Sequence, residues 1–223
     1  MTQPASGWHM PSLLSHDSTL ARAGDHLADK YTGMFCRQTI LRNLDESYTL
    51  LATTATITTH LPNLAIRFAT DRLAAVARNE GAVATGIPEV LFVCVHNAGR
   101  SQMAAALLDH HAHGRVHVRS AGSIPASGTS PSVTAALAEV GIDISKEFPK
   151  PLTDDVVRGS DIVVLMGRGD KCPVYPGKRD LDWDLPDPAS LPIDQTRPIR
   201  DEIDRRVQRL LATLTATKEH TAP

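Results

Sequence analysis

The sequence predicts an α/β protein built on a parallel sheet and preceded by a small all-α unit. Three observations carry this. Beyond Pro88, short and continuously apolar runs alternate with helical patterns. The first of those runs ends on a cysteine that opens a tight loop. Between His16 and Ala82, by contrast, the apolar spacing is helical throughout. Continuous apolar strands joined by helical crossovers imply a sheet covered on both faces.

The helical unit spans residues 15–82. Leu20, Ala23, Leu27 and Tyr31 make a first helix that ends near Gly33. Leu41, Leu44, Tyr48, Leu51 and Ala55 recur at spacings of three and four and make the second. After a break at His60-Leu61-Pro62, the residues Leu61, Leu64, Phe68, Leu73 and Val76 make the third. Each helix has one apolar stripe, which must be buried in a bundle or against a second copy. Cys36, at the start of the second helix, reads as a small core residue. A three-helix unit invites a DNA-binding reading, but the charges oppose it. Arg22, Lys30, Arg37, Arg42, Arg67, Arg72 and Arg78 are balanced by Asp17, Asp25, Asp29, Asp45, Glu46, Asp71 and Glu80, leaving no basic face for phosphates. Docking or self-association is expected instead, with a homodimer through these helices as the partner state.

Residues 83–88, containing Gly86 and Pro88, read as a linker, and 89–218 as the α/β unit between flexible ends at 1–14 and 219–223. In order, the pattern gives a strand at 90–95, a helix at 101–111 and a strand at 116–119. A helix at 131–140 stopped by Gly141, a strand at 161–166 and a closing helix at 199–214 follow. On this division, a chain starting near Ala84 is expected to keep its chemistry.

At 223 residues, with 42% hydrophobic and 22% charged side chains, the chain has room for one large or two small soluble domains. A net charge of −2 gives no general attraction for nucleic acid or anionic lipid. No apolar run approaches membrane-spanning length, and residues 1–14 lack an export pattern, so a cytoplasmic protein is expected. Cysteines at 36, 94 and 172 are odd in number and far apart, which favours reduced thiols over a disulfide scaffold.

The segment Val90-Leu91-Phe92-Val93-Cys94-Val95-His96-Asn97-Ala98-Gly99-Arg100-Ser101 carries the chemistry. A strand delivers a cysteine, an arginine follows six positions later, and a serine begins a helix. Inward-facing amides of Val95, His96, Asn97, Ala98 and Gly99, backed by a helix N-terminus, suit a tetrahedral dianion. The same field favours a thiolate at Cys94, making it a nucleophile. Arg100 offers a bidentate fork for two oxygens. Asn97 suits a left-handed turn, and Ser101 can donate to the sulfur. His110, His111, His113 and His117 cluster without a cysteine at ligand spacing, so solvated positions near a helix C-terminus are expected rather than zinc, and no metal site is predicted.

The second half resembles the low-molecular-weight protein tyrosine phosphatase family, through residues 94–101, through Arg119-Ser120-Ala121-Gly122 and through Asp187-Pro188. The resemblance implies a flavodoxin-like, four-stranded parallel sheet, with Cys94 as nucleophile, Arg100 as oxyanion clamp and Asp187 as the loop acid. Within that fold the chain is more similar to arsenate reductases. Gln102-Met103-Ala104 follows the loop where phosphatases tend to carry proline, and Ala189-Ser190 stand where paired aromatics would stack on phosphotyrosine. Residues 165–173 and Trp183-Asp184-Leu185 resemble actinobacterial arsenate reductases, which carry similar N-terminal three-helix units.

Thioredoxin-linked members pass oxidation to two further cysteines. Here Cys172 stands at the last position and Arg168 near the middle one, so the relay is incomplete. They also hold potassium with an acid where this chain has Ala105, so no such ion is expected. The resemblance thus implies no tightly bound cofactor and a thiol co-substrate. That is mycothiol with its redoxin, or thioredoxin acting through Cys172, with the external thiol favoured. Phosphomonoester hydrolysis is the rival activity, and a non-catalytic oxyanion sensor the third class.

Overall fold

The computed structural model describes residues 16–56, 58–82, 86–167 and 175–219. Residues 1–14 and 220–223 of the expected flexible ends, part of the linker and Cys172 lie outside the described residues, whereas Glu219, the first residue of the expected tail at 219–223, belongs to the closing helix. Three helices open the chain: α1 (His16–Lys30), α2 (Arg37–Ala52) and α3 (Leu61–Asn79). Leu27, Tyr31, Ile40, Leu44, Ala69 and Leu73 meet in their core. Pro62 falls in the first turn of α3, where a missing N–H has no partner to lose.

The remaining elements are β1 (Glu89–Cys94), α4 (Arg100–Ala112), β2 (His117–Gly122), α5 (Pro131–Ala138), α6 (Asp154–Gly159), β3 (Ile162–Leu165), β4 (Arg179–Asp182) and α7 (Ile193–Glu219). The strands form one sheet in the order β2-β1-β3-β4, each neighbouring pair parallel. This is the four-stranded parallel sheet that the sequence resemblance implied. Every residue of β1 is buried, because the strand is central and covered on both sides.

Side chains alternate across β1 and sort the core in two. Val90, Phe92 and Cys94 point to one face and pack with Met103 and Leu107 of α4 and Ile203 and Val207 of α7. Leu91 and Val93 point to the other and pack with Val156 and Val157 of α6. At six residues, α6 is too short to cover that face alone. Ala75 of α3 joins the same cluster, so the opening helical unit completes the wall. The two helices cross closely: a Cβ on Gly159 would lie 2.8 Å from the Ala75 Cβ. Arg72, buried on α3, pins the crossing by pairing with Asp155 at 2.8 Å and Glu46 at 3.1 Å. Glu89, buried at the start of β1, lies between Arg78 of α3 and Arg119 of β2.

Several expectations need correction. Cys36 is exposed, not core: it caps α2, outside the apolar stripe, with its sulfur 3.2 Å from the Thr39 hydroxyl. That hydrogen bond, joined by the Thr39 amide, holds the thiol below the ordinary cysteine range. His111 is half-buried rather than solvated, with Nε2 2.6 Å from Asp204 of α7, whereas His110, His113 and His117 are exposed. The closing helix starts at Ile193 and carries Pro198 inside it, so the proline is not its boundary. β4 and α6 were not legible in the pattern.

Candidate active site

Cys94 is the last residue of β1, at the carboxyl end of the strand from which the chain goes first to β2 on one side and later to β3 on the other. In open α/β sheets, ligands collect at this switch point. The loop that follows is turned inside out by its hydrogen bonds. The carbonyls of Cys94, Val95, His96 and Ala98 accept from the amides of Ser123, Ile124, Ala126 and Ser130, at 2.8 to 3.2 Å. A trans peptide places N–H opposite C=O, so the amides of Val95, His96, Asn97 and Gly99 face the interior of the loop. Asn97 achieves the turn with φ at 47°, and its amide lies 3.2 Å from the Cys94 sulfur. Gly122 at the end of β2 permits the fold-back, since a Cβ there would meet the Val95 carbonyl oxygen at 2.8 Å. The N-terminus of α4 stands directly behind, adding its dipole.

Cys94 is 2% exposed, and its sulfur is 2.9 Å from the Ser101 hydroxyl. Arg100 is also buried, and its donors divide unequally. Nη1 donates to the carbonyls of Met166 at 3.1 Å and Leu185 at 3.3 Å, and Nη2 lies 3.3 Å from Asp187. Nε, buried, has no partner among the described residues. An unpaired buried guanidinium donor in a loop of inward amides is what a dianion with two oxygens to place would satisfy. Space for the guanidinium comes from Gly167, where a Cβ would fall 1.9 Å from Nη1.

The other residues singled out in the sequence sort as follows. Ala98, Gly99 and Ser101 are buried in the loop, Val95 is partly buried and His96 is exposed on its outer rim. Asp187 is brought over the loop: its Oδ1 accepts from the Ala189 amide at 3.1 Å and stands 3.3 Å from the place a Gly99 Cβ would take. Cys172 is not among the described residues. Sequence reasoning missed Gly167, whose signal was a glycine directly after the apolar run of β3, and the contacts of Gln102 with Asn97 and Phe148.

A buried cysteine in a loop of inward amides at the end of a parallel strand, with an arginine and a carboxylate beside it, is the arrangement that cysteine-dependent oxyanion chemistry requires. Residues 89–220 match the low molecular weight phosphotyrosine protein phosphatase family, and the chain belongs to it. Residues 20–77 match the protein-tyrosine-phosphatase-like N-terminal domain. Among solved structures, the thioredoxin-dependent arsenate reductase of Corynebacterium glutamicum is 51% identical over 91% of this chain and 99% of its own, with a TM-score of 0.81. The arsenate reductase of Bacillus licheniformis is 34% identical over 56% of this chain and 95% of its own length. A glutaredoxin arsenate reductase of Synechocystis is 33% identical over 56% of this chain and 98% of its own.

Proposed function

We propose that the protein is an arsenate reductase whose nucleophile is Cys94. The observation that carries this is the buried Nε of Arg100, without a partner among the described residues, in a loop whose amides face its interior. Arsenate sits as a dianion in the 94–101 loop, held by the inward amides and by Arg100. The Cys94 thiolate attacks arsenic and forms an S–As bond. Water leaves after Asp187 passes a proton to the departing oxygen. The arsenic is then reduced by a thiol: as one S–As bond breaks, its electron pair stays on arsenic and arsenite departs.

Two of the three named relatives are named for a thiol reductant, one as thioredoxin-dependent and one as a glutaredoxin arsenate reductase. Two routes supply it. Mycothiol attacks the arsenic adduct and carries it to a redoxin, or Cys172 attacks the Cys94 sulfur and the resulting disulfide is recycled by thioredoxin. The thioredoxin-dependent relative, matched along nearly its whole length, supports the second route against the external thiol favoured by the incomplete cysteine relay. A small inorganic substrate also accounts for Ala189 and Ser190, which give no aromatic wall for a phosphotyrosine. We further propose a cytoplasmic homodimer formed through the opening helices, whose connecting loop leaves Met34 exposed; light scattering of the full chain tests it.

The test is arsenite formation with thioredoxin and its reductase, and separately with mycothiol and its redoxin, beside hydrolysis of p-nitrophenyl phosphate. Arsenite with either reductant supports the reading, and Cys172→Ser assigns the route. Phosphate release without arsenite would replace it with phosphomonoester hydrolysis.

A further inference from the structure

Two amide side chains behind the catalytic loop are oriented by backbone groups of one short segment, and that segment is gripped by the opening helices. Gln102 donates from Nε2 to the Phe148 carbonyl at 2.9 Å, and the Lys150 amide donates to Asn97 Oδ1 at 2.8 Å. A carbonyl only accepts and an amide only donates, so both side-chain amides are fixed without ambiguity. The second proton of Gln102 Nε2 then goes to Asn97 Oδ1 at 3.1 Å. Asn97 must present Nδ2 to Ser101, and it donates to that hydroxyl at 2.8 Å. With its oxygen accepting from Asn97, the Ser101 hydroxyl points its own proton at the Cys94 sulfur, 2.9 Å away. All four residues of the chain, Gln102, Asn97, Ser101 and Cys94, are almost wholly buried, where such directional bonds are strongest.

The segment that sets this order belongs structurally to the helical unit. Phe148 packs with Leu51 of α2 and Leu61, Ala65 and Phe68 of α3. Arg67 of α3 stacks over its ring at 5.1 Å, donates to the Lys146 carbonyl at 2.6 Å and pairs with Glu147 at 3.2 Å. The Phe148 carbonyl and Lys150 amide are thus held between two supports: α2 and α3 grip the segment at Phe148, Lys146 and Glu147, and the Gly122 amide of β2 donates to the Lys150 carbonyl at 2.8 Å.

We infer that the opening helices are an intramolecular positioning device for the catalytic thiol, acting through Phe148 and Gln102 to aim the Ser101 hydroxyl at Cys94. Gln102 and Phe148 are positioning residues: neither touches the oxyanion loop's interior, and both act through Asn97. The helices are therefore part of the site, and a chain lacking them loses the orientation even where it retains the sheet. The inference rests on Cys94 being the nucleophile, but not on the identity of the oxyanion.

The experiment reads the thiol directly, in the full-length protein, so that arsenate chemistry is not involved. Alkylation of Cys94 by iodoacetamide is followed across pH by mass spectrometry of its peptide in wild type, Gln102→Leu, Phe148→Ala, Phe148→Leu and the double variant Gln102→Leu/Phe148→Ala. Gln102→Leu should move the midpoint of the profile up by about one pH unit, the size of one hydrogen bond to a charged group. Phe148→Ala should move it the same way, and Phe148→Leu, which keeps the apolar anchor, should restore most of the wild-type profile. The double variant should shift no further than Gln102→Leu alone, since both act on one chain. A wild-type profile in Gln102→Leu, or additive shifts in the double variant, would overturn the inference. Should Phe148→Ala fail to fold, Arg67→Ala on the exposed side of the same grip replaces it, and a wild-type midpoint there overturns the inference equally. If alkylation shifts as expected while no variant or wild type makes arsenite, the inference stands and the proposed activity falls.

Discussion

The two faces of the sheet are covered by different parts of the chain. On one, α4 and α7 of the second half bury Phe92 and Cys94 under a continuous wall. On the other, α6 ends after one and a half turns, and Leu91 and Val93 share their cover with Ala75 from α3. One face belongs to the α/β half by itself; the other is closed by a helix that the chain has laid down before the first strand. The difference teaches that the boundary near residue 86, plain in the sequence, does not divide the core. The proposed site lies at the end of β1, whose Cys94 packs in the first face.

That division can be tested from its strong end downward. Cys94→Ser should abolish turnover, and Arg100→Ala should lower kcat by about 10²- to 10³-fold or more, as for other oxyanion contacts. Both should leave the thermal midpoint within a few degrees of wild type, since neither residue ties the two faces together. Turnover near wild type in either variant would remove the site from this loop. Arg72→Ala acts on the other face. It strands Asp155, which is only 14% exposed, and the loss of a buried pair costs on the order of 3 to 5 kcal/mol. Chemical denaturation should show that loss; a change under about 1 kcal/mol would mean that α3 rests loosely on α6. Gly159→Ala is milder. Its new methyl group meets Ala75, and overpacking of this kind costs about 1 to 3 kcal/mol. An unchanged denaturation midpoint would show that the crossing yields.

The smallest effect concerns Asp71 of α3. Burial pushes its carboxyl up from 3.8, against the opposing pull of Arg119 and Lys150. The folded protein therefore binds that proton more tightly than the unfolded chain does. The charged form opposes folding in full above the folded-state midpoint; the opposition fades as the pH falls from there towards 3.8 and is gone below it. Asp71→Asn should raise the melting temperature at neutral pH, by an increment that shrinks as the buffer is acidified. An increment that grew on acidification would reverse the sign of the effect.

The candidate catalytic loop was legible because the residues that would carry its chemistry are close in sequence. Cys94, Asn97, Arg100 and Ser101 lie within eight consecutive positions, and the turn demands residue types that can be recognised there. The central strands were legible for the same reason: burial on both faces leaves a run such as Val90-Leu91-Phe92-Val93. β4 was not, because Arg179-Asp180-Leu181-Asp182 is a mostly exposed edge strand that carries no apolar run. α6 is too short to show a helical period. The docking of α3 was invisible for another reason. Arg72 meets Asp155 across 83 positions, and nothing in a charge at one place announces its partner at the other. The stripe of the third helix was read correctly as needing cover, but the sequence could not say that the cover is the sheet.

The crossing of α3 over α6 also has a consequence in time. A ribosome releases α3 well before α6, since Arg72 and Asp155 are 83 positions apart. Until then the flank carrying Ala75 faces water, and the pairing that ends this exposure is among the longest-range in the chain. Closing so long a loop is entropically slow, so this flank of α3 should stay uncovered until the sheet and α6 have been made. In that interval the flank of α3 is expected to be open to whatever binds apolar surface in the cell.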